Sequence, residues 1–400
     1  MSDTRIGPGA GMPLDLFPEG TQLARLGQEV CSPGDIDSNG VPDLVITAHR
    51  ADLGGLNRGG IFVVLLNDDL SVKSYTELSA RSGLEGVTIN DNSMLGKGIA
   101  AVGDLDGDGV GDIIVSLNNP PVKLFVIFLN ADGSAKNVVS ISGALPSGYN
   151  PVGADDGFGM GMGGLGDLDG DGVTEVAVGA PLAEPAGFHL LFMNADGSVK
   201  DDVFVSAPVG VKPTDTFGST ITRMGDMDGD GVTELAVGSP KDDTGGRLIG
   251  AVFIVSLDKE AGWAKKWAHK ITGGRDGVDL VGKKGRFSRV VGTGDLNADG
   301  VPDLWVGASF APGGGEGHML MLNADGTVQS AAKVSSAAGE LTSALSEGDL
   351  FAHSGALVGR MNDGAIVIAV GSIGESTGGT NTGSIYMLKR ESHPALVLVA

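Results

Sequence analysis

A single cysteine, Cys31, in a chain of 400 residues excludes any intramolecular disulfide, so stability has to come from packing, from closure of the fold and from bound ions. Aromatic residues supply only 5% of the sequence, and no long segment repeats its apolar residues with a helical period, which excludes a helical bundle. No apolar run approaches the roughly 20 residues of a membrane span, the short terminal stretch 395–400 included, so none is expected. Basic residues are also scarce. Lys and Arg number 27 against 50 Asp and Glu, giving a formal charge of -23, and a nucleic-acid partner would be repelled by the field of the whole molecule. Residues 1–25 lack a basic start followed by an apolar stretch, so no secretory signal is expected in the chain as given.

What the chain does have is glycine, 68 residues of it, together with 41% apolar residues, a balance that suits many short strands joined by tight turns. Much of the acidity recurs at fixed intervals. The segment Gly34-Asp35-Ile36-Asp37-Ser38-Asn39-Gly40-Val41-Pro42-Asp43 has gap-free equivalents opening at Gly103, Gly166, Gly225 and Gly294, and a shortened sixth copy opens at Gly359. Asp35, Asp104, Asp167, Asp226, Asp295 and Arg360 lie 59–69 residues apart, 65 on average, and six such units nearly exhaust the chain.

Each unit carries four short apolar runs. In the second they are 99–102, 113–117, 124–129 and 138–141, with the acidic segment after the first and an Asn130-Ala131-Asp132-Gly133 turn after the third. That turn recurs at 194–197 and 323–326. Four runs predict a four-stranded antiparallel sheet, which cannot bury both faces alone, so neighbouring sheets must stack around an axis. The reading is an all-β, six-bladed β-propeller, with seven blades as the alternative. Its repeats run at about 26–94, 95–157, 158–216, 217–286, 287–350 and 351–400, and residues 1–25 form an arm or a closing segment. The stretch 395–399 is expected as the last outer strand or its neighbour.

Within each acidic loop, Asp stands at position 1, Asp or Asn at 3 and 5, Gly at 6, valine at 7 and Asp or Glu at 9. Alternate oxygens converge when such a chain curls, Gly at 6 allows the bend, and the peptide oxygen at 7 adds a neutral donor, a set that suits Ca²⁺. The five donor sets are Asp35, Asp37, Asn39, Val41, Asp43; Asp104, Asp106, Asp108, Val110, Asp112; Asp167, Asp169, Asp171, Val173, Glu175; Asp226, Asp228, Asp230, Val232, Glu234; and Asp295, Asn297, Asp299, Val301, Asp303. An EF-hand would need an acid at position 12, where this chain has Ile46, Val115, Val178, Val237 and Val306, each inside an apolar run. About five Ca²⁺ ions are expected. The sixth loop, with Arg360 at position 1 and no closing acid, is expected to bind none; Arg360 either reaches Asn362, Asp363 or nearby carbonyls, or stands in solvent over a plain turn.

These residues resemble the FG-GAP repeats of the integrin α-subunit propeller and its relatives. The pieces that give that family its name stand here as Phe158-Gly159 with Gly179-Ala180-Pro181 and Phe217-Gly218 with Gly238-Ser239-Pro240. Weaker forms are Leu26-Gly27, Leu95-Gly96, Phe287-Ser288 and Phe351-Ala352. The resemblance implies calcium sites in hairpins between first and second strands on one face, and ligands on the other.

Function is therefore expected to be non-enzymatic: an extracellular or cell-surface calcium-binding module for adhesion, ligand binding or surface assembly, whose partner is a protein or glycan on the face opposite the calcium loops. A carbohydrate-active enzyme or lectin on the same scaffold is the alternative. None of His49, His189, His269, His318, His353 and His393 falls in a catalytic motif; His49 and His318 are placed on inter-strand loops. Cys31 reads as a small core residue, and Trp263 and Trp267 either pack over a sheet edge or form a binding platform.

Overall fold

The two middle runs of each repeat are apolar at nearly every position rather than at alternate ones. Gly60–Leu66 reads GIFVVLL and Asp112–Leu117 reads DIIVSL, and every residue of both is buried. Strands buried on both faces need cover on both sides, which only neighbouring sheets can supply here. The computed structural model describes residues 2–13, 24–117, 122–150, 156–280, 284–336, 341, 344–361, 364–376 and 381–390. It contains six antiparallel blades.

The inner strands are Val30–Gly34, Ile99–Gly103, Met162–Gly166, Thr220–Gly225, Arg289–Gly294 and Phe351–Arg360. Second strands follow at Asp43–Thr47, Asp112–Leu117, Glu175–Ala180, Glu234–Ser239, Asp303–Ala308 and Ile366–Ser372. Third strands are Gly60–Leu66, Lys123–Leu129, Gly187–Met193, Ala251–Asp258, Glu316–Leu322 and Ser384–Arg390. Blades 1 to 5 end in the outer strands Val72–Ser79, Ala135–Ile141, Val199–Ser206, Ala264–Thr272 and Val328–Val334.

Blade 6 takes its outer strand from the other end of the chain. Ser2–Pro8 pairs antiparallel with Ser384–Arg390, with Ile6 opposite Ile385 and Arg5 opposite Tyr386, and Arg5 Nη1 lies 2.6 Å from Glu375 Oε1. A two-residue strand, Gly11–Met12, runs parallel to its end. The stretch 395–399, expected beside the last sheet, lies outside the described residues. Each inner strand packs on that of the next blade and the sixth packs on the first, so the ring closes with six blades and the seven-bladed alternative falls away.

Six apolar clusters lie one between each pair of adjacent blades; Leu44, Phe62, Val367 and Ile385 join blades 1 and 6, and Ile114, Val126, Val176 and Leu191 join blades 2 and 3. Near the axis the inner strands crowd one another. A Cβ on Gly164 would collide with the carbonyl oxygen of Ala101 in blade 2, and one on Gly163 would lie 2.7 Å from that of Ile221 in blade 4. The up-and-down order sends the acidic loops and the third-to-fourth turns to one end of the ring, here the loop end. Second-to-third connections and blade-to-blade crossings go to the other, the crossing end.

Deleting residues 1–12 is expected to lower the melting temperature and to promote self-association, because the backbone groups of Ser384–Arg390 lose their partner strand and become an open edge. Calorimetry and size-exclusion chromatography check this; a monomer with an unchanged melt would show that the closing strand is dispensable.

Candidate metal centres

The five acidic loops share one internal bonding scheme. The position-1 carboxylate turns back on its own loop: Asp104 accepts the N–H of Gly107 at 2.8 Å, of Asp108 at 3.0 Å and of Gly109 at 2.7 Å. Asp35, Asp167, Asp226 and Asp295 do the same with the N–H groups of Gly40, Gly172, Gly231 and Gly300 at 2.7–2.9 Å. At position 5, Asn39, Asp108, Asp171, Asp230 and Asp299 accept the N–H of the valine two residues on (Val41, Val110, Val173, Val232 and Val301) at 2.7–2.9 Å. The curl needs a left-handed residue at position 6, and Gly40, Gly109, Gly172, Gly231 and Gly300 have φ of 87–91°.

Position 9 anchors the loop to the sheet. Asp43, Asp112, Glu175, Glu234 and Asp303 open the second strands and are almost fully buried, and each accepts the N–H of the position-2 residue at 2.6–3.0 Å. Where the residue is Asp, its other oxygen accepts an N–H from the end of the third strand: Leu66 to Asp43, Leu129 to Asp112 and Leu322 to Asp303, at 2.8–3.0 Å. Burial, reinforced by the neighbouring loop acids, pushes the carboxyls of Asp43, Asp112 and Asp303 up to about 6 despite these bonds. Glu is one methylene longer, and Oε1 of both Glu175 and Glu234 is buried without a hydrogen-bond partner. At position 3, Asp37 Oδ1 is likewise buried and unpartnered.

Orphaned carboxylate oxygens inside an acidic loop are what a cation would satisfy. The donor atoms also gather. Asp35, Asp37 and Asp43; Asp104, Asp106 and Asp108; Asp167, Asp169 and Glu175; and Asp226, Asp228 and Asp230 each bring one ligand oxygen within 4.8 Å of the others. That separation is about twice the 2.3–2.6 Å of a Ca²⁺–oxygen bond, so the residues fit the ion. In the fifth loop Asp295, Asp299 and Asp303 do not meet this closeness, and the side chain of Asn297 turns its amide to Asp299 at 2.9 Å.

A set of lysines over these loops escaped the sequence reading. From the outer strands, Lys73 reaches Asp37 at 2.5 Å, Lys136 reaches Asp106 and Asp108 at 2.6 Å each, Lys200 reaches Asp169 and Asp171, and Lys266 reaches Asp228 and Asp230 at 3.2 and 2.7 Å. Hydrogen bonds to its two acids raise the Lys136 pKa and keep the ammonium charged. Blade 5 has Gln329 instead, 3.3 Å from Asp299. The signal was available: Lys73, Lys136, Lys200 and Gln329 each stand six residues after the asparagine that opens the third-to-fourth turn.

The sixth loop closes as a plain turn, with Gly364 N–H on Met361 O and Met361 N–H on Ala365 O, both at 2.8 Å. Arg360 is exposed and donates to the Gly364 carbonyl at 2.9 Å; Asn362 and Asp363 lie outside the described residues. One histidine is not where the sequence put it, and another is buried on its loop. His318 sits within the third strand of blade 5 rather than on a loop, edge-on to Phe287, and His49, though on a turn, is only 1% exposed. Cys31 is buried in an inner strand. Trp263 packs on Phe192 of blade 3 with ring centroids 5.6 Å apart, and half-buried Trp267 donates Nε1–H to Asp228 at 3.0 Å.

Residues 162–188 match the FG-GAP repeat family. The chain is similar to integrin alpha-4 of Xenopus laevis, 28% identical over 145 residues that cover 36% of this chain and 13% of that protein. It is also similar to integrin alpha-PS2 of Drosophila melanogaster, 27% identical over 235 residues that cover 56% of this chain and 16% of that protein. The matched region is thus less than a fifth of either relative. Among solved structures, a chain of BBS1N in complex with ARL6DN aligns over 95% of both chains, at 11% identity and a TM-score of 0.43, too remote to bear on function.

Replacing Gly172 with Ala leaves open space around the new methyl but forces a left-handed residue, so a loss of roughly 1–2 kcal/mol is expected in denaturant unfolding. Arg360→Ala, at an exposed turn, is expected to change stability by less than about 0.5 kcal/mol. A larger loss would mean that the guanidinium holds the sixth loop together.

Proposed function

We propose, from the premise that this chain is an FG-GAP, integrin-α-like β-propeller, that it is a non-enzymatic ligand-binding module whose acidic loops hold Ca²⁺ and whose crossing end receives a protein ligand. The observation that carries the metal reading is the buried, unpartnered oxygens of Asp37, Glu175 and Glu234 inside loops whose other acids converge. The side chains at positions 1, 3, 5 and 9 and the carbonyls of Val41, Val110, Val173, Val232 and Val301 would hold the ions. Bound calcium supplies the positive charge that offsets repulsion among 18 carboxylates and ties the inner strand of each blade to its second strand. Loops this open to solvent suit the weak class of site, which fills at about 10⁻⁴–10⁻³ M calcium, as found outside cells. With the likeness to integrin α chains, this supports adhesion or ligand binding at a cell surface. Among the described residues no helix is long and apolar enough to cross a membrane.

Exposed apolar side chains support the choice of face. Of the five large ones among the described residues, Leu56, Leu182, Val209 and Phe310 lie in connections at the crossing end, and Phe204 is on an outer strand. These connections, such as 50–59, 183–187, 241–250, 310–317 and 374–383, vary in length on a fixed scaffold, and residues 377–380 of the last lie outside the described ones. A non-enzymatic reading fits the histidines. His189 pairs with Asp202 at 3.1 Å, but it is enclosed by Tyr149, Phe158 and Phe204 and is out of reach of a substrate.

Titration calorimetry in millimolar calcium is expected to give five equivalents, and chelation is expected to lower the melting temperature because the loop acids lose their counter-charge. Two or fewer equivalents would refute the metal reading. A complex whose contacts are confined to the loop end would refute the placement of the ligand.

A further inference from the structure

The repeat register stacks two rings of side chains where the channel opens at the crossing end. Seven residues before position 1 the blades carry Gln28, Lys97, Met160, Ser219, Ser288 and His353; six before, they carry Glu29, Gly98, Gly161, Thr220, Arg289 and Ser354. Glu29, Met160, Ser219 and Arg289 are among the residues lining an axial cavity of about 200 Å³. Blades 3 and 4 contribute no charge. Blades 5, 1 and 2 contribute Arg289, Glu29 and Lys97, blade 6 between them contributes His353, which burial holds neutral, and Arg25, just before the first inner strand, and Arg50, in the second-to-third connection of blade 1, are close enough to act on Lys97.

Only one acid answers these cations. Arg289 Nη1 lies 3.2 Å from Glu29 Oε1, and its Nη2 lies 3.2 Å from His353 Nε2. Among the described residues, Arg25, Arg50 and Lys97 have no carboxylate within 4.0 Å, although all three are half-buried. They are close enough to feel one another: burial and then Arg50 lower the Arg25 pKa, and burial followed by Arg289 lowers that of Lys97. Two polar atoms in the group are buried with no hydrogen-bond partner, Nε of Arg50 and Nδ1 of His49, the latter on a side chain that is 1% exposed.

Half-buried like charges beside the unpartnered Arg50 Nε, in a molecule with a net charge of -23, are costly unless something negative completes them. We propose that the crossing-end mouth of the channel is an anion site, in which Arg25, Arg50, Lys97 and Arg289 receive a carboxylate from an acidic segment of a partner protein. A sulfated polymer would meet the acidic remainder of the surface beyond the first few charges. The exposed Leu56, Leu182 and Phe310 on the same end suit a peptide that flanks its acid with apolar residues, and Arg286 stacks over Phe310 at 4.1 Å. The inference rests on the crossing end being the ligand face and is independent of calcium, which is assigned to the opposite end.

The test is calorimetric titration of a hexaglutamate peptide, and separately of sodium sulfate, into the full chain with calcium present. Lys97→Gln and Arg50→Gln are each expected to weaken peptide binding about tenfold and to reduce its salt dependence, whereas Arg360→Gln, exposed at the opposite end of the ring, is expected to leave it unchanged. Sulfate is expected to raise the melting temperature of the parent chain more than that of either variant. No peptide binding, or equal binding by parent and both variants, would overturn the proposal. Binding of sulfate without the peptide would overturn the assignment to a protein carboxylate. Calcium stoichiometry, read in the same samples, reports on the loop end separately.

Discussion

Burial of both faces of the middle strands is the constraint from which the rest of this structure follows. A blade of four strands has two apolar faces and no core of its own, so it is stable only between two others, and a row of blades has two unprotected ends unless it closes. Closure then decides the composition of each layer. Inner strands, crowded at the axis, are built from residues as small as Gly163 and Gly164, because a single Cβ would strike the next blade. Middle strands are apolar at nearly every position, and outer strands are only partly buried, exposed and half-buried residues alternating along 264–269. The ring is locked by pairing Ser2–Pro8 with Ser384–Arg390, the first and last strands among the described residues.

Much of this was legible because the repeat keeps its own ruler. The acidic loop fixes where the inner strand ends and the second begins, and the strands of blade 2 fall within three residues of the runs read from sequence, 99–102 against Ile99–Gly103 and 138–141 against Ala135–Ile141. Which end of the chain supplies the closing strand was not legible, since Ser2–Pro8 has no acidic loop to set its register and only one large apolar residue, Ile6, to bury. His318 was misplaced because its neighbours Gly313 to Gly317 read as a loop, whereas the strand already begins at Glu316. The lysines over the loops were missed for a different reason. Their partners are about 30 residues away in sequence, and only the fold of the blade brings outer strand and loop together.

The acid that closes each loop has two structural jobs, and the choice between Asp and Glu divides them differently. An Asp in this place uses both oxygens on backbone N–H groups, joining the loop to the end of the third strand, as Asp43 does with Ile36 and Leu66. Glu175 and Glu234 keep the first bond and leave Oε1 free inside the loop. In loops 1, 2 and 5 the closing acid is therefore spent on hydrogen bonds, whereas in loops 3 and 4 it keeps one oxygen without a hydrogen-bond partner, as Asp37 does at position 3 of loop 1. A single repeat motif thus contains two kinds of site, separated by one methylene.

The same register that repeats the acids at one end repeats no charge at the other, and that difference has a physical origin. At the loop end, inner strand, second strand and turn all serve a common geometry, so each blade is held to the same residues. At the crossing end no shared ligand imposes a sequence, and the positions six and seven residues before the loop drift from Gly161 and Met160 to Glu29, Lys97 and Arg289. Charges that arise there face one another across the axis instead of facing solvent, so they interact strongly even in a molecule whose net charge has the opposite sign. An acidic loop end and a basic axial mouth are therefore both consequences of one closed ring: repetition concentrates what every blade shares, and closure concentrates, at its centre, what each blade has separately.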